Sequence, residues 1–427
     1  MNMKMMVIFA LVIPIIPFLA QEFDIDYIIT SKNLYEKTSY KAIFFDGKNN
    51  KLSFLVGPNT TKEYRLSELC YIRVKNNRNI IFNPIPRVDL ITGEIIASGI
   101  ENVINSENLV IKNPVWTSNK LQISILKVKQ VVFTRSERVY EDPNKDFIIF
   151  ENGDLDKGTI ETLEANKVLL NSEVYNKQKI YSIKDEKSSK YTISQIHFAE
   201  VSRTELEPET VYVVIVVGDG SKIIGKLRKI SGGKLTVESE GLGEIEISSL
   251  YIHSIYTLNS QCQFLSDIPI LSSKTFSVTL KKIKYNPTLL YRIKKDHSYS
   301  SSTGHNPISL AGEQFPKGLH IHSTTILKMR LEKKFTKLFS FYGIDDNILL
   351  DYNPTRPGGV VALKIYGDGK LLFKKNQVKL PKKLSSFTID VSGVKILKIV
   401  VKEPPYPKYP HIFTLGRFSL GLPLLIK

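Results

Sequence analysis

The chain has 427 residues, of which 59 are Lys or Arg and 42 are Asp or Glu, giving a formal net charge of +17. Its length predicts about two to four domains, and 42% hydrophobic with 24% charged residues excludes both a disordered chain and a polytopic membrane protein. Two cysteines exclude a disulfide framework and a four-cysteine zinc site, and no P-loop, HExxH or GxSxG stretch occurs, which removes the enzyme classes those motifs mark.

Residues 1–20 read as a secretory signal. Lys4 supplies the positive start, Met5 to Leu19 form an apolar run broken by Pro14 and Pro17, and Ala20 stands where a cleavage site needs a small residue. Phe18 does not fit the usual small residue two positions before it, so a retained N-terminal anchor is the alternative. No later stretch is long and apolar enough to predict a membrane span. An exported chain meets an oxidising compartment, where Cys70 and Cys262 can pair. Cys70 follows an apolar run and also reads as a small buried hydrophobe.

Three segments then share one pattern. Residues 208–260 carry it most clearly: Val211–Val217, the turn Asp219-Gly220, Ile223–Leu227 around Gly225, Lys234–Glu238, and Ile245–Leu250. Residues 141–207 repeat it with Phe147–Phe150, Asn152-Gly153, Gly158, Val168–Leu170 and Ile193–Ile196. Residues 84–140 carry it with Gly93, Gly99, Leu109–Ile111 and Ile125–Val128. Short runs alternating apolar and polar predict strands buried on one face. The turn glycines supply positive φ for hairpins, and a glycine inside the next strand permits a sharp bend. These features predict three small β-barrel or β-roll units, with a weak resemblance to Sm-like barrels. Residues 21–83, with strands at Tyr40–Phe45, Leu52–Val56 and Tyr64–Ile72, read as a degenerate fourth unit.

The charge is concentrated in residues 261–427. From Cys262 onward there are 23 Lys and 4 Arg against 10 Asp or Glu, a net of +17, whereas the first 261 residues hold 32 of each sign. Such a module either meets an anionic partner or is kept soluble by its lysines. The pairs Lys294-Lys295, Lys333-Lys334 and Lys374-Lys375 decide between the two: gathered on one face they attract a polyanion, spread out they do not. Short strands at regular spacing, among them the hairpin Val360–Tyr366 and Lys370–Phe373 around Gly367-Asp-Gly369, predict an all-β sandwich.

The stretches Lys294–Ser298, Phe315-Pro-Lys-Gly-Leu-His-Ile-His-Ser323, Gly343-Ile-Asp-Asp-Asn347, Gly367–Lys370, Ile389–Val394 and Leu397–Val401 resemble, in order and spacing, the NPCBM (NEW2-type) family of carbohydrate-binding modules. The resemblance implies a galactose-binding-like jelly roll, a carbohydrate partner, and residence outside the cytoplasm of a bacterium: secreted, periplasmic or in the cell envelope. Family members end on a His-x-[Asp/Asn]-Trp block closed by Arg; here the stretch is His411–Arg417, with Thr414 in the place of Trp. The single Trp of the chain is Trp116, far upstream.

The resemblance and the chemistry of sugar sites nominate Tyr342, Asp345, Asp346, His320, His322 and Arg417 as carbohydrate contacts. Asp345 and Asp346 are adjacent, so on a strand they point to opposite faces and do not form the converging carboxylates of a glycosidase. Either could serve a structural calcium ion; no other cofactor is expected. His320 and His322 share a strand face without a third metal ligand nearby, which favours packing or a hydrogen bond. The expectation is a non-catalytic exported protein binding an envelope or extracellular polysaccharide, an anionic one included. Nucleic acid is not expected as a partner, and protein partners are undefined. The alternative is a structural or protein-interaction component of the envelope with an inert sandwich.

Overall fold

The computed structural model describes residues 24–37, 42–57, 60–75, 79–81, 84–104, 107–113, 115, 120–134, 142, 144–164, 166–183, 192–199, 206–275, 293–300, 304–351, 359–402 and 417–427. Residues 1–20, which the sequence reading takes as a signal, Trp116 and residues 411–416 lie outside them. The described secondary structure is all β apart from short 3-10 segments of three to six residues, and no helix among the described residues is long and apolar enough to cross a membrane.

The front half is built from four five-stranded units, the degenerate one included. Unit I comprises Ile25–Thr30, Ala42–Asp46, Lys51–Gly57, Thr60–Arg65 and Leu69–Val74. Unit II comprises Arg87–Leu90, a second strand split into Ile95–Ile96 and Ile100–Ile104, then Asn108–Lys112, Lys120–Ser124 and Val128–Val132. Unit III runs Asp146–Phe150, Leu155–Leu163, Lys167–Ser172, Lys177–Ser182 and Ile193–His197. Unit IV runs Tyr212–Val217, Lys222–Ser231, Lys234–Ser239, Gly243–Ser248 and Ile252–Leu258. In units III and IV the strands lie in the order fifth, first, second, third, fourth. Units I and II keep that order with a break at or just before the second strand.

In units III and IV the bend of the second strand sits where the sequence places it, and the buried residues of all four units form one continuous core. The second strand of unit IV pairs with the first strand up to Gly225 and with the third from Lys226 onward; Gly158 holds the same position in unit III. A Cβ at Gly225 would stand 2.5 Å from the carbonyl oxygen of Glu238, and one at Gly158 would meet the carbonyl of Asn171. The turn glycines Gly93, Gly153 and Gly220 all have positive φ. One sequence reading is corrected: Tyr64–Ile72 is not a single strand, because a 3-10 turn at Leu66–Glu68 separates the fourth strand from the fifth. The same turn recurs at Ile125–Lys127 and Ser249–Tyr251.

The units do not associate in chain order. The fifth strand of unit I pairs antiparallel with the fifth strand of unit IV, Arg73 opposite Ser254 and Tyr71 opposite Tyr256. Units II and III join in the same way, Gln130 opposite His197. A single bridge, Lys222 to Ile95, links the two pairs, so one continuous sheet runs through all four units.

The C-terminal part is a sandwich of two antiparallel sheets. One holds Lys294–Lys295, Gly318–His322, Arg417–Ile426, Lys337–Ile344 and Ser386–Asp390 in that spatial order, with Cys262–Phe264 paired to the end of Arg417–Ile426. The other holds Ile270–Thr275, Thr325–Arg330, Ile396–Lys402, Val361–Gly367 and Lys370–Val378. Between them lie Leu319, Ile321, Leu327, Met329, Leu338, Leu363, Ile365, Leu397, Ile399, Phe418 and Leu420.

The outer side of the six-stranded sheet is buried as well. Phe339, Phe341, Leu422, Leu424 and Ile426 pack with Phe315 of the hairpin Ile308–Phe315 against Tyr27, Ile29, Tyr71, Tyr212, Val214 and Tyr256 of units I and IV. Strands at this contact are covered on both faces, and Tyr212–Val217, Leu69–Val74 and Arg417–Ile426 are therefore buried at every position. The expectation of one buried face fails here because a second layer covers the other. Across the contact, buried Arg73 pairs with Glu313 and donates to the carbonyl of His253 at 2.7 Å. Cys70 and Cys262 form a disulfide across it, with Cα atoms 5.5 Å apart.

Two outcomes are expected. Gly225→Ala forces the Glu238 strand away and lowers stability by about 1–3 kcal/mol, measured as a reduced urea midpoint. Reducing the disulfide, which closes a loop of sequence separation 192, costs about 2–5 kcal/mol and lowers the melting temperature in dithiothreitol; an unchanged melting temperature would contradict this.

Candidate functional site

The nominated residues fall at one end of the six-stranded sheet, but not as one surface. His322 lies opposite Arg417 and His320 opposite Ser419 on neighbouring strands. Asp345 follows the strand Lys337–Ile344 and its amide donates to the carbonyl of Arg417 at 2.8 Å. His320, His322, Asp345 and Arg417 are thus brought together.

Asp345 is fully buried. One carboxylate oxygen accepts the Ser419 hydroxyl at 2.6 Å, and the other accepts the Asn347 amide and side chain at 3.1 and 2.7 Å. Asn347 also donates to the Ser298 hydroxyl at 2.8 Å and the Pro307 carbonyl at 2.9 Å. His320 Nδ1 lies 3.0 Å from the same Ser419 hydroxyl and 3.7 Å from the carboxylate. Ser, His and Asp meet here without forming a hydrolytic triad. The serine hydroxyl donates its hydrogen bond to the aspartate rather than to the imidazole, and His320, Ser419 and Asp345 are all buried. The cluster instead joins three elements where the sheet ends, and the structure places Asp345 in the interior rather than on a contact surface.

Asp346 turns the other way, because the strand ends at Ile344 and Asp346 opens the 3-10 helix Asp346–Asp351. It accepts Ser309 Oγ at 2.8 Å and the amides of Ala311 and Gly312 at 3.1 and 2.7 Å, capping the tip of the Ile308–Phe315 hairpin. Tyr342 is also interior: its ring packs 5.8 Å from both Phe373 and Phe387, and burial raises its phenol pKa. Burial first, then His320 and Arg417, push the His322 imidazole down to about 3, so it stays neutral at physiological pH. Among the described residues no group of three or more His, Cys, Asp or Glu is gathered as a metal ion requires.

The solvent side of this end carries residues the sequence reading did not nominate. Tyr299 is 39% exposed, and Leu349 and Leu350 are half exposed. Their elements, Ser298–Ser300 and the 3-10 turn Asp346–Asp351, pack together, and Lys294 Nζ lies 6.0 Å from the Tyr299 ring centre. The available signal was an aromatic residue in the small polar run Ser298–Gly304, which predicts a loop-borne ring. The lysine pairs separate. Lys295 donates to the carbonyl of Ile268 at 2.9 Å, and Lys334 pairs with Glu332 at 2.7 Å. Lys374 joins the outward face of the five-stranded sheet.

Residues 262–406 match the NPCBM/NEW2 domain. Among solved structures the chain is similar to a CBM51 module of a Clostridium perfringens GH95 protein in complex with methyl-galactose, at 21% identity over 38% of this chain and 99% of that one, TM-score 0.29. It is also similar to the tandem CBM51 modules of a Streptococcus pneumoniae family 98 glycoside hydrolase, at 12% identity over 72% of this chain and 84% of that one, TM-score 0.30. A CBM51-2 structure with GlcNAc and INT domains from Clostridium perfringens ZmpB shares 18% identity over 47% of this chain and 40% of that one, TM-score 0.30. No curated protein matches. The NPCBM/NEW2 segment contains every residue discussed in this subsection except Arg417 and Ser419, which lie on the strand that closes its six-stranded sheet.

Removing the Asp345 carboxylate orphans Ser419 and Asn347 in the interior, so Asp345→Ala is expected to cost about 2–4 kcal/mol. The test is a lowered urea midpoint. An unchanged midpoint with lost glycan retention would make Asp345 a ligand contact instead.

Proposed function

We propose that the protein is an exported, non-catalytic binding protein whose C-terminal sandwich holds an envelope or extracellular polysaccharide, an anionic one included. The match of residues 262–406 to the NPCBM/NEW2 domain carries this reading. The exposed Tyr299 ring beside Lys294 offers an apolar platform with a charged neighbour, the combination a pyranose needs. Non-catalytic binding accords with the carboxylates: Asp345 faces the interior and Asp346 a hairpin, so the two do not converge across a cleft. Export accords with the Cys70–Cys262 disulfide, a bond that persists in oxidising compartments.

A structural role in the envelope is the second reading. It is favoured by the burial of the six-stranded sheet on both faces, which makes the sandwich one body with the front half.

The test is a glycan array probed with the full-length chain after signal removal, because an isolated sandwich would expose Phe339, Phe341 and Leu424. Retention of a glycan class, weakened at least about tenfold by Tyr299→Ala (roughly 1.4 kcal/mol, within the range of one stacking contact), is the expected result. No retention of any glycan would move the assignment to the structural reading.

A further inference from the structure

The six-stranded sheet is covered on both sides, which leaves the outer side of the five-stranded sheet as the sandwich's exposed sheet face. Its strands, Ile270–Thr275, Thr325–Arg330, Val361–Gly367, Lys370–Val378 and Ile396–Lys402, contain eight lysines and one arginine and no Asp or Glu. Alternation decides which of these face outward. Leu327, Met329, Leu363, Ile365, Leu397, Ile399 and Val401 fill the core, so the residues between them point away from it.

Cross-strand pairing sets the outward residues in two rows. One runs Ser272, Lys328, Lys398, Tyr366, Leu371, and the next runs Lys274, Ile326, Val400, Lys364, Lys374. Arg330 and Lys402 extend the face at opposite ends of their strands. Lys274, Lys328, Arg330, Lys374 and Lys402 are exposed. Lys398 Nζ lies 4.4 Å from the centre of the Tyr366 ring, and Val400 is only 6% exposed although it faces outward, as expected where lysine stems lie over apolar surface. Two nearby turn carboxylates are engaged elsewhere: Glu332 pairs with Lys334 at 2.7 Å, and Asp368 accepts the amides of Lys395 and Ile396 at 2.9 and 2.8 Å. Five strands make a face about 20 Å wide on which one sign of charge is concentrated.

We propose that this face is a second binding surface, separate from the Tyr299 end, for an anionic polysaccharide lying flat across the strands. The inference rests on the carbohydrate reading above and names a different surface for it. Charge complementarity selects a polyanion. Lysines on a flat sheet favour diffuse attraction to a repeating anionic polymer over fixed bidentate recognition of single phosphates. Nucleic-acid stacking is disfavoured because the face's one outward aromatic ring, Tyr366, lies beneath Lys398. Membrane insertion is disfavoured because its strands carry two large exposed hydrophobes, Leu271 and Leu371, on the two opposite edge strands of the sheet and so not as one apolar patch.

The test uses the full-length chain and three probes: polygalacturonic acid, dextran, and vesicles of anionic phospholipid. Three proteins are compared. They are the native chain, the face variant Lys328→Glu/Lys364→Glu/Lys398→Glu, and a control with equal charge change on the front half, Lys48→Glu/Lys177→Glu/Lys229→Glu. Melting curves establish that all three fold. The expected result is polygalacturonate binding at low salt that falls steeply with added salt, is lost by more than about tenfold in the face variant and changes by less than about twofold in the control. Equal losses in both variants would reduce the effect to net charge and overturn the proposal. Vesicle binding equal to polygalacturonate binding would overturn its commitment to a glycan. Salt-resistant retention of neutral glycans with no polygalacturonate binding would overturn this surface and leave the carbohydrate reading standing; no binding to any glycan would remove both.

Discussion

The structure depends on one apolar contact, the seam between the sheet of units I and IV and the outer side of the six-stranded sheet. Phe341 is its centre, with Tyr27 and Tyr35 edge-on at 6.0 and 5.1 Å and Phe315 stacked at 5.4 Å. A buried large side chain is worth about 1.5–3 kcal/mol against exposure, and this seam contains more than a dozen. The Arg73–Glu313 pair and the disulfide lie in the same seam. Arg73 is enclosed because Glu313 and two backbone carbonyls satisfy its guanidinium. Burying one side of the sandwich in this way determines which surfaces remain for ligands: the loop end near Tyr299 and the lysine face.

Much of the architecture could be read from short-range chemistry. Gly93, Gly153 and Gly220 announce hairpins because those turns need positive φ, and Gly158 and Gly225 announce bends because a neighbouring carbonyl occupies the Cβ position. Both signals are local and survive without knowledge of the partner strand. The hairpin at Gly367–Gly369 and the two-sheet sandwich were readable for the same reason. The pairing of unit I with unit IV was not, because strand-edge hydrogen bonds use backbone groups that every residue carries. The run Val211–Val217 did hold a hint: a continuous apolar strand indicates cover on both faces, whereas alternation indicates one.

The site was harder to read than the fold. Asp345, Asp346, His320 and Arg417 are polar residues in a run resembling a known family, and such residues suggest ligand contacts. The structure uses Asp345 and Asp346 to tie strand ends and a hairpin. A buried aspartate whose carboxylate accepts three hydrogen bonds has no distinct signature in sequence; what separates it from a ligand contact is its surroundings. Tyr299 was overlooked for the opposite reason, since an aromatic residue in a small polar loop carries no periodicity. The lysine face was half legible: composition gave the excess charge, and only the strand register shows that seven cations share one side.

The order of strand pairing bears on how the chain comes into being. Unit I presents its fifth strand to a partner that follows it by roughly 180 residues, the separation between Arg73 and the His253 carbonyl it binds. During synthesis the first unit therefore emerges with an unpaired edge and an uncovered aromatic side, and both must wait for unit IV and then for the last strand of the sandwich. Late, long-range closure of this kind slows folding and leaves sticky edges exposed in the interval. A chain truncated before its final strand would lose one strand of the sandwich and also strip the cover from its own beginning.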